Sequence, residues 1–202
     1  MTTTPRTRVR TALLPAGPVR LMSLAGGEIE PVRQVFAGLS PASRWLRFHT
    51  GMPSVPERYL RQLATVVPGE RHVVVALAGG EAVGHGEFTR ERGEPARAEI
   101  ALAVHDSWHG RGVGLALISE LAALAAALGI DEFTCSTLRE NTPVRAWLRR
   151  CGATVHGDGV DFRFDVAALL AAVREHGPHA VAAHPPASAP RTESSERSTA
   201  CA

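Results

Sequence analysis

The chain contains no lysine, and all 22 of its basic residues are arginine. That absence removes one phosphate-binding device at once, because a P-loop ends in Gly-Lys-Ser/Thr. Cysteine is scarce. Cys135, Cys151 and Cys201 form neither a C-x-x-C pair nor a metal-ligand spacing. An odd, sparse count suits a reducing compartment better than a disulfide framework. No pair of histidines has metal-site spacing either. The net charge of +2 is too slight to attract nucleic acid by electrostatics alone. No apolar run reaches the length of a membrane span, and the Thr/Arg-rich start lacks a signal-peptide core. Together these absences predict a cytoplasmic protein without metal, membrane or nucleic-acid partner.

What remains is sufficient for one ordinary domain. At 202 residues and 45% apolar composition, the chain can bury a substantial core unaided. Residues 1–17 read as a flexible lead, 18–175 as the domain and 176–202 as a disordered tail. Within the domain, Val19 to Leu24 suggests a first strand. Glu28 to Leu39 places Ile29, Val32, Val35, Phe36 and Leu39 at helical spacing. Ser40-Pro41 reads as a cap and first helical residue, opening a short helix to Phe48. Glu57 to Val67 predicts a third helix. Then follow strands over His72 to Ala78, Val83 to Arg90 and Ala98 to Val104, separated by glycine turns. A helix over 112–128, a strand over Asp131 to Leu138 and a helix from Glu140 to Arg150 come next. Ala153 to His156 and Val160 to Phe164 pair as strands, and Val166 to Glu175 closes the domain as a helix.

The most informative stretch joins the third of those strands to the alanine-rich helix. After Val104 a polar break, His105-Asp106-Ser107-Trp108, leads into His109-Gly110-Arg111-Gly112-Val113-Gly114-Leu115. The first N–H groups of a helix have no internal partner and carry the positive end of its dipole. Glycines there permit positive φ and remove the Cβ atoms that would hold a ligand off. The expected product is a concave set of donors for phosphate. The dinucleotide fingerprint G-x-G-x-x-G/A fails in both registers, which end on Leu115 or Leu117.

The same stretch resembles the acyl-CoA loop of the GNAT family of N-acetyltransferases, written Gln/Arg-x-x-Gly-x-Gly/Ala, with His109 at the Gln/Arg position. A second segment, Asn141-Thr142-Pro143-Val144-Arg145-Ala146-Trp147-Leu148-Arg149-Arg150-Cys151-Gly152-Ala153, is similar to the family's Asn-x-x-Ala-x-x-Leu-Tyr-x-x-x-Gly-Phe helix. Leu39 to Phe48 and Ala98-Glu99-Ile100-Ala101 look most like bacterial protein-lysine acetyltransferase domains. The resemblance implies an α+β fold, with a largely antiparallel central sheet flanked by helices. It implies acetyl-CoA as acyl donor, its pantetheine along the main chain of Leu102, Ala103 and Val104. The pyrophosphate would sit on His109, Gly110, Arg111, Gly112, Val113, Gly114 and Leu115, with Asn141 facing the coenzyme.

Amide formation requires an amine that has lost its proton and a donor for the tetrahedral oxyanion. Glu99 is the expected general base, one strand face from Ala101 and Ala103, whose small side chains leave room for a ligand. A bulge between them would shift that parity. The acceptor is read as a protein lysine first and a small-molecule amine second, and this chain carries no lysine of its own to acetylate. Leu148 stands where the family often has a tyrosine acid. That departure leaves a non-catalytic coenzyme-binding sensor as an alternative, and a nucleotide-binding module as another. His85, His105 and His109 read as structural or surface histidines. Trp45, Trp108 and Trp147 read as packing residues, and Cys135 and Cys151 as buried apolar ones.

Overall fold

A computed structural model describes residues 8–182, with side chains through 175. Its strands are β1 (Val9–Leu14), β2 (Gly17–Ser23), β3 (Arg71–Ala78), β4 (Glu81–Glu91), β5 (Glu94–Val104), β6 (Glu132–Ser136), β7 (Thr154–His156) and β8 (Asp161–Asp165). Its helices are α1 (Ile29–Ala37), α2 (Pro41–Phe48), α3 (Glu57–Leu63), α4 (Val113–Ala127), α5 (Thr142–Arg150) and α6 (Val166–Ala182). The strands form one sheet in the order β1-β2-β3-β4-β5-β6-β8-β7. Every neighbouring pair is antiparallel except β5 and β6. A parallel pair needs a long crossover, and α4 supplies it. The result is the α+β arrangement expected from the chain's element order.

Two expectations at the ends are corrected. The lead was expected to be flexible through residue 17, yet Val9–Leu14 pairs with β2 along its whole length. Its sequence gives little warning because Val9, Arg10, Thr11 and Leu13 are exposed on the sheet edge. The strand is held by a distant group: Arg8 and Arg10 reach Glu120 of α4 at 3.5 and 3.4 Å. Glu120 is only 1% exposed, so those guanidiniums compensate a buried charge. At the other end the tail was expected from residue 176, but α6 runs to Ala182. The remainder of the expected lead and tail, with Cys201, lies outside the described residues.

The core has two parts, one on each face of the sheet. On one face α4 and α6 pack over Val74, Phe88, Ile100, Phe133, Phe162 and Phe164. Gly84 and Gly86 on β4 allow that close approach. A Cβ at Gly84 would lie 2.8 Å from Val113 and 2.9 Å from Leu117, the first turns of α4. On the other face α1 and α3 cover Val73, Val75, Ala82 and Ala103. Helix α2 differs from its neighbours in having no fully buried residue. Among the described residues no helix is long and apolar enough to cross a membrane.

Candidate active site

The sheet opens at one place. Strand β5 pairs with β6 only over Arg97–Glu132, Ala98–Phe133 and Glu99–Thr134. Beyond Glu99 the two part, and β6 continues alongside β8 instead. The other edge of β5 stays zipped to β4 as far as Val104. Main-chain groups of one strand residue point to the same side, alternating along the strand. His105 donates to Val83, which sets that alternation. Ala101 and Ala103 therefore bond to β4, while Ile100, Leu102 and Val104 face the opening. Of the three residues expected to offer main chain to a coenzyme, Leu102 and Val104 turn theirs toward the opening, although the Val104 carbonyl is occupied by His109. Ala103 contributes its small side chain instead.

The glycine turn lies at the end of this open edge. Gly110 and Gly112 have φ of 70° and 88°, the left-handed region where Cβ-bearing residues are strained. Gly112 caps α4 with no side chain bonded across the end. The first N–H groups of α4 thus have no capping side chain. His109 does not aim at that space with its Nε2. It donates to the Val104 carbonyl at 2.8 Å, stiffening the corner between strand and turn. Arg111 places its guanidinium 5.2 Å from the Trp108 ring centre. Asp106 accepts from the Ser40 N–H at 3.2 Å, tying the turn to the start of α2. Burial opposes ionisation of Asp106, but hydrogen bonds from Ser40 and Ser43 outweigh it and hold the carboxyl below its usual range.

Asn141 opens α5 on the other side of the gap. It is 6% exposed, and its side chain does not cap the helix it begins. Beside Gly114, Trp147 closes the base of the site, 3.7 Å from where a Cβ would be. Leu148 turns into the core at 3% exposure, and its hydrocarbon side chain has no proton to give a leaving group. Burial pushes the thiols of Cys135 and Cys151 up to about 12 each, so neither is a thiolate near neutral pH. The residues present suit an acyl-CoA: an open strand edge, a glycine turn with exposed donors, and an uncommitted buried amide. Among the described residues, no cluster of three or more ligating side chains could hold a metal.

Glu99 lies on the opposite side of the sheet from α4. Its neighbours in register are Thr89 on β4 and Thr134 on β6. No bulge interrupts β5 between residues 98 and 104, so Glu99, Ala101 and Ala103 do share a face. The carboxylate borders a cavity of about 230 Å³ lined by Arg47, Phe48, Tyr59, Arg71, Glu87 and Ile100 among others. Glu87 is 7% exposed and is bracketed by Arg47, at 2.8 Å, and Arg71. This trio escaped the sequence reading. Alternation along His85, Glu87 and Thr89 signals a shared face, but nothing local says that α2 and β3 supply its arginines. His85 is fully buried, its Nε2 donating to the Leu63 carbonyl at 3.1 Å, as befits a structural histidine. Trp45 is not a packing residue: it is 42% exposed and donates to Glu140 at 3.2 Å.

Known proteins give the same picture. The model of the acetyltransferase (GNAT) family matches residues 40–153. Acetyltransferase Pat of Mycolicibacterium smegmatis is 32% identical over 101 residues, 48% of this chain but only 30% of that protein. The GNAT domain of S. lividans PAT superposes with a TM-score of 0.71 at 25% identity, covering 78% of this chain and 96% of that one. Mycobacterium smegmatis RimJ in complex with CoA-disulfide shares the fold at 19% identity and a TM-score of 0.61, over 86% of this chain and 96% of that one. With a family match across more than half its length, this chain belongs to the acetyltransferase (GNAT) family.

Proposed function

We propose that the chain transfers acetyl from acetyl-CoA to a primary amine, with a protein lysine as the acceptor and Glu99 as the base. The observation that carries this is the position of Glu99, at the last register step before β5 and β6 separate. A thioester lying against the open edge would have Glu99 on one side and the Leu102 N–H within the opening. Residues 102–104, 109–115 and Asn141 would hold the coenzyme, mostly through main-chain donors and acceptors. Glu99 would take the proton of the entering ammonium, directly or through water. The Leu102 N–H would stabilise the oxyanion formed on attack. Attack is direct, because both described cysteines are held as neutral thiols by burial. No acid is at hand where Leu148 sits, so the coenzyme thiolate leaves unassisted or with a proton from water.

The lysine acceptor is supported by the likeness to Pat, over a third of that protein's length or less. A small-molecule amine is the second reading, favoured by a cavity at Glu99 of about 230 Å³. The test is thiol release from acetyl-CoA with lysine peptides and small amines in parallel. Release driven by peptides supports the first reading, and release by small amines alone supports the second. Coenzyme binding without amine-dependent release would overturn both.

A further inference from the structure

Helix α2 is attached to the molecule by Phe48 at the edge of the apolar core and by polar links. It buries no residue completely, yet polar links fix both its ends. Ser40 at its start is bonded to Asp106, and Arg47 near its end to Glu87. Glu87 sits opposite Ala101 in the β4–β5 register, so α2 lies over the sheet beside the point where β5 and β6 part. From the middle of α2 the Trp45 indole reaches Glu140 at 3.2 Å. Glu140 belongs to the connection between β6 and α5, beyond β5 from β4. The Trp45–Glu140 bond therefore crosses β5 and bridges the mouth of the split on the Glu99 face.

We propose that Trp45 and Glu140 form a latch across the acceptor entrance, opened by the ammonium group of the acceptor itself. This rests on the reading that the Glu99 face is the acceptor side. The latch is a single exposed hydrogen bond from a neutral indole N–H to a carboxylate. An alkylammonium brings a full positive charge to the same carboxylate, where the indole N–H brings none, and so displaces the indole. The freed ring then offers its face to the cation. The latch thus selects protonated alkylamines, such as a lysine side chain, over amines that arrive uncharged. The proton is surrendered afterwards, at Glu99.

Two substitutions separate the parts of this proposal. Trp45→Phe keeps the ring and removes the donor. Amide hydrogen exchange of residues 41–48 should then rise by roughly threefold to tenfold, the loss of about one net hydrogen bond. Unchanged exchange overturns the latch whatever the enzyme's activity. Glu140→Gln keeps an oxygen for the indole and removes the charge. The KM for butylamine and for a capped lysine peptide should rise about tenfold, the loss of one charge-assisted bond, while that for aniline and the affinity for acetyl-CoA stay within twofold. Equal effects on butylamine and aniline, or none on butylamine, overturn the selection. If the wild-type protein binds acetyl-CoA but acetylates no amine, the proposed function fails. The exchange of α2 then still decides the latch.

Discussion

The two sides of β5 are built on different principles. The side proposed for the coenzyme is made of main chain: an open strand edge, two glycines at positive φ and the uncapped start of α4. The side proposed for the acceptor is made of side chains drawn from α2, α3, β3, β4 and β5, with the Arg47–Glu87–Arg71 trio among them. The first is rigid because it shares the hydrophobic core under α4. The second has a smaller apolar core, touched from α2 by Phe48, and polar links tie down a helix that buries nothing fully. A coenzyme common to a whole family can be gripped by backbone, which tolerates sequence change. An acceptor particular to one protein must be read by side chains.

The sharpest way to break this contrast is to remove the one side chain on which chemistry is placed. Glu99→Gln should lower turnover by about 100- to 10,000-fold and leave acetyl-CoA affinity within twofold. Steady-state kinetics beside calorimetric titration of the coenzyme checks both, and unaltered turnover would remove Glu99 as base. The complementary substitution is Gly112→Val, which imposes a branched side chain at φ 88° among the proposed phosphate donors. Coenzyme affinity should fall by at least about 100-fold, or ~2.7 kcal/mol. Gly114 gives a milder probe. A Cβ there meets Trp147 at 3.7 Å, an ordinary contact, so Gly114→Ala tests ligand crowding without disturbing the fold.

Gly84→Val addresses the rigidity of the coenzyme side. The new side chain would press on Val113 and Leu117 from under 3.0 Å. Overpacking of this kind costs about 1–3 kcal/mol, read as a lower denaturant midpoint, and it should also weaken coenzyme binding by displacing the start of α4. The smallest effect concerns pH. Burial lowers the pKa of His85 and of His72, the latter helped by Arg90. The unfolded chain therefore binds protons that the folded one refuses, and stability falls as pH drops below the unfolded value of about 6.5. His85→Gln should flatten the fall of melting temperature between pH 7 and 5. An unchanged slope would assign that dependence to His72 or to groups elsewhere.

The legibility of the sequence follows the same divide. Strand, glycine turn and helix over 98–128 could be read directly, because glycine placement and apolar periodicity are local properties of the chain. Asn141 and the absence of a tyrosine at Leu148 were visible for the same reason. Strand β1 was not, because its exposed residues carry no alternation and its anchor, Glu120, is more than a hundred residues away. Nor were Arg47, Arg71 and Glu87, which lie on three elements and meet only after folding. Trp45 read as packing, since an indole at a helix edge usually is.

By itself the sequence determined the order of elements from β2 onward, the glycine turn before α4 and the face on which Glu99 stands, since each follows from spacing along one backbone. Tertiary structure alone decided where the sheet splits, which main-chain groups are left free there, and which arginines neutralise Glu87. Those are matters of pairing between distant segments. The free energy of such pairing depends on partners that no local stretch of chain contains.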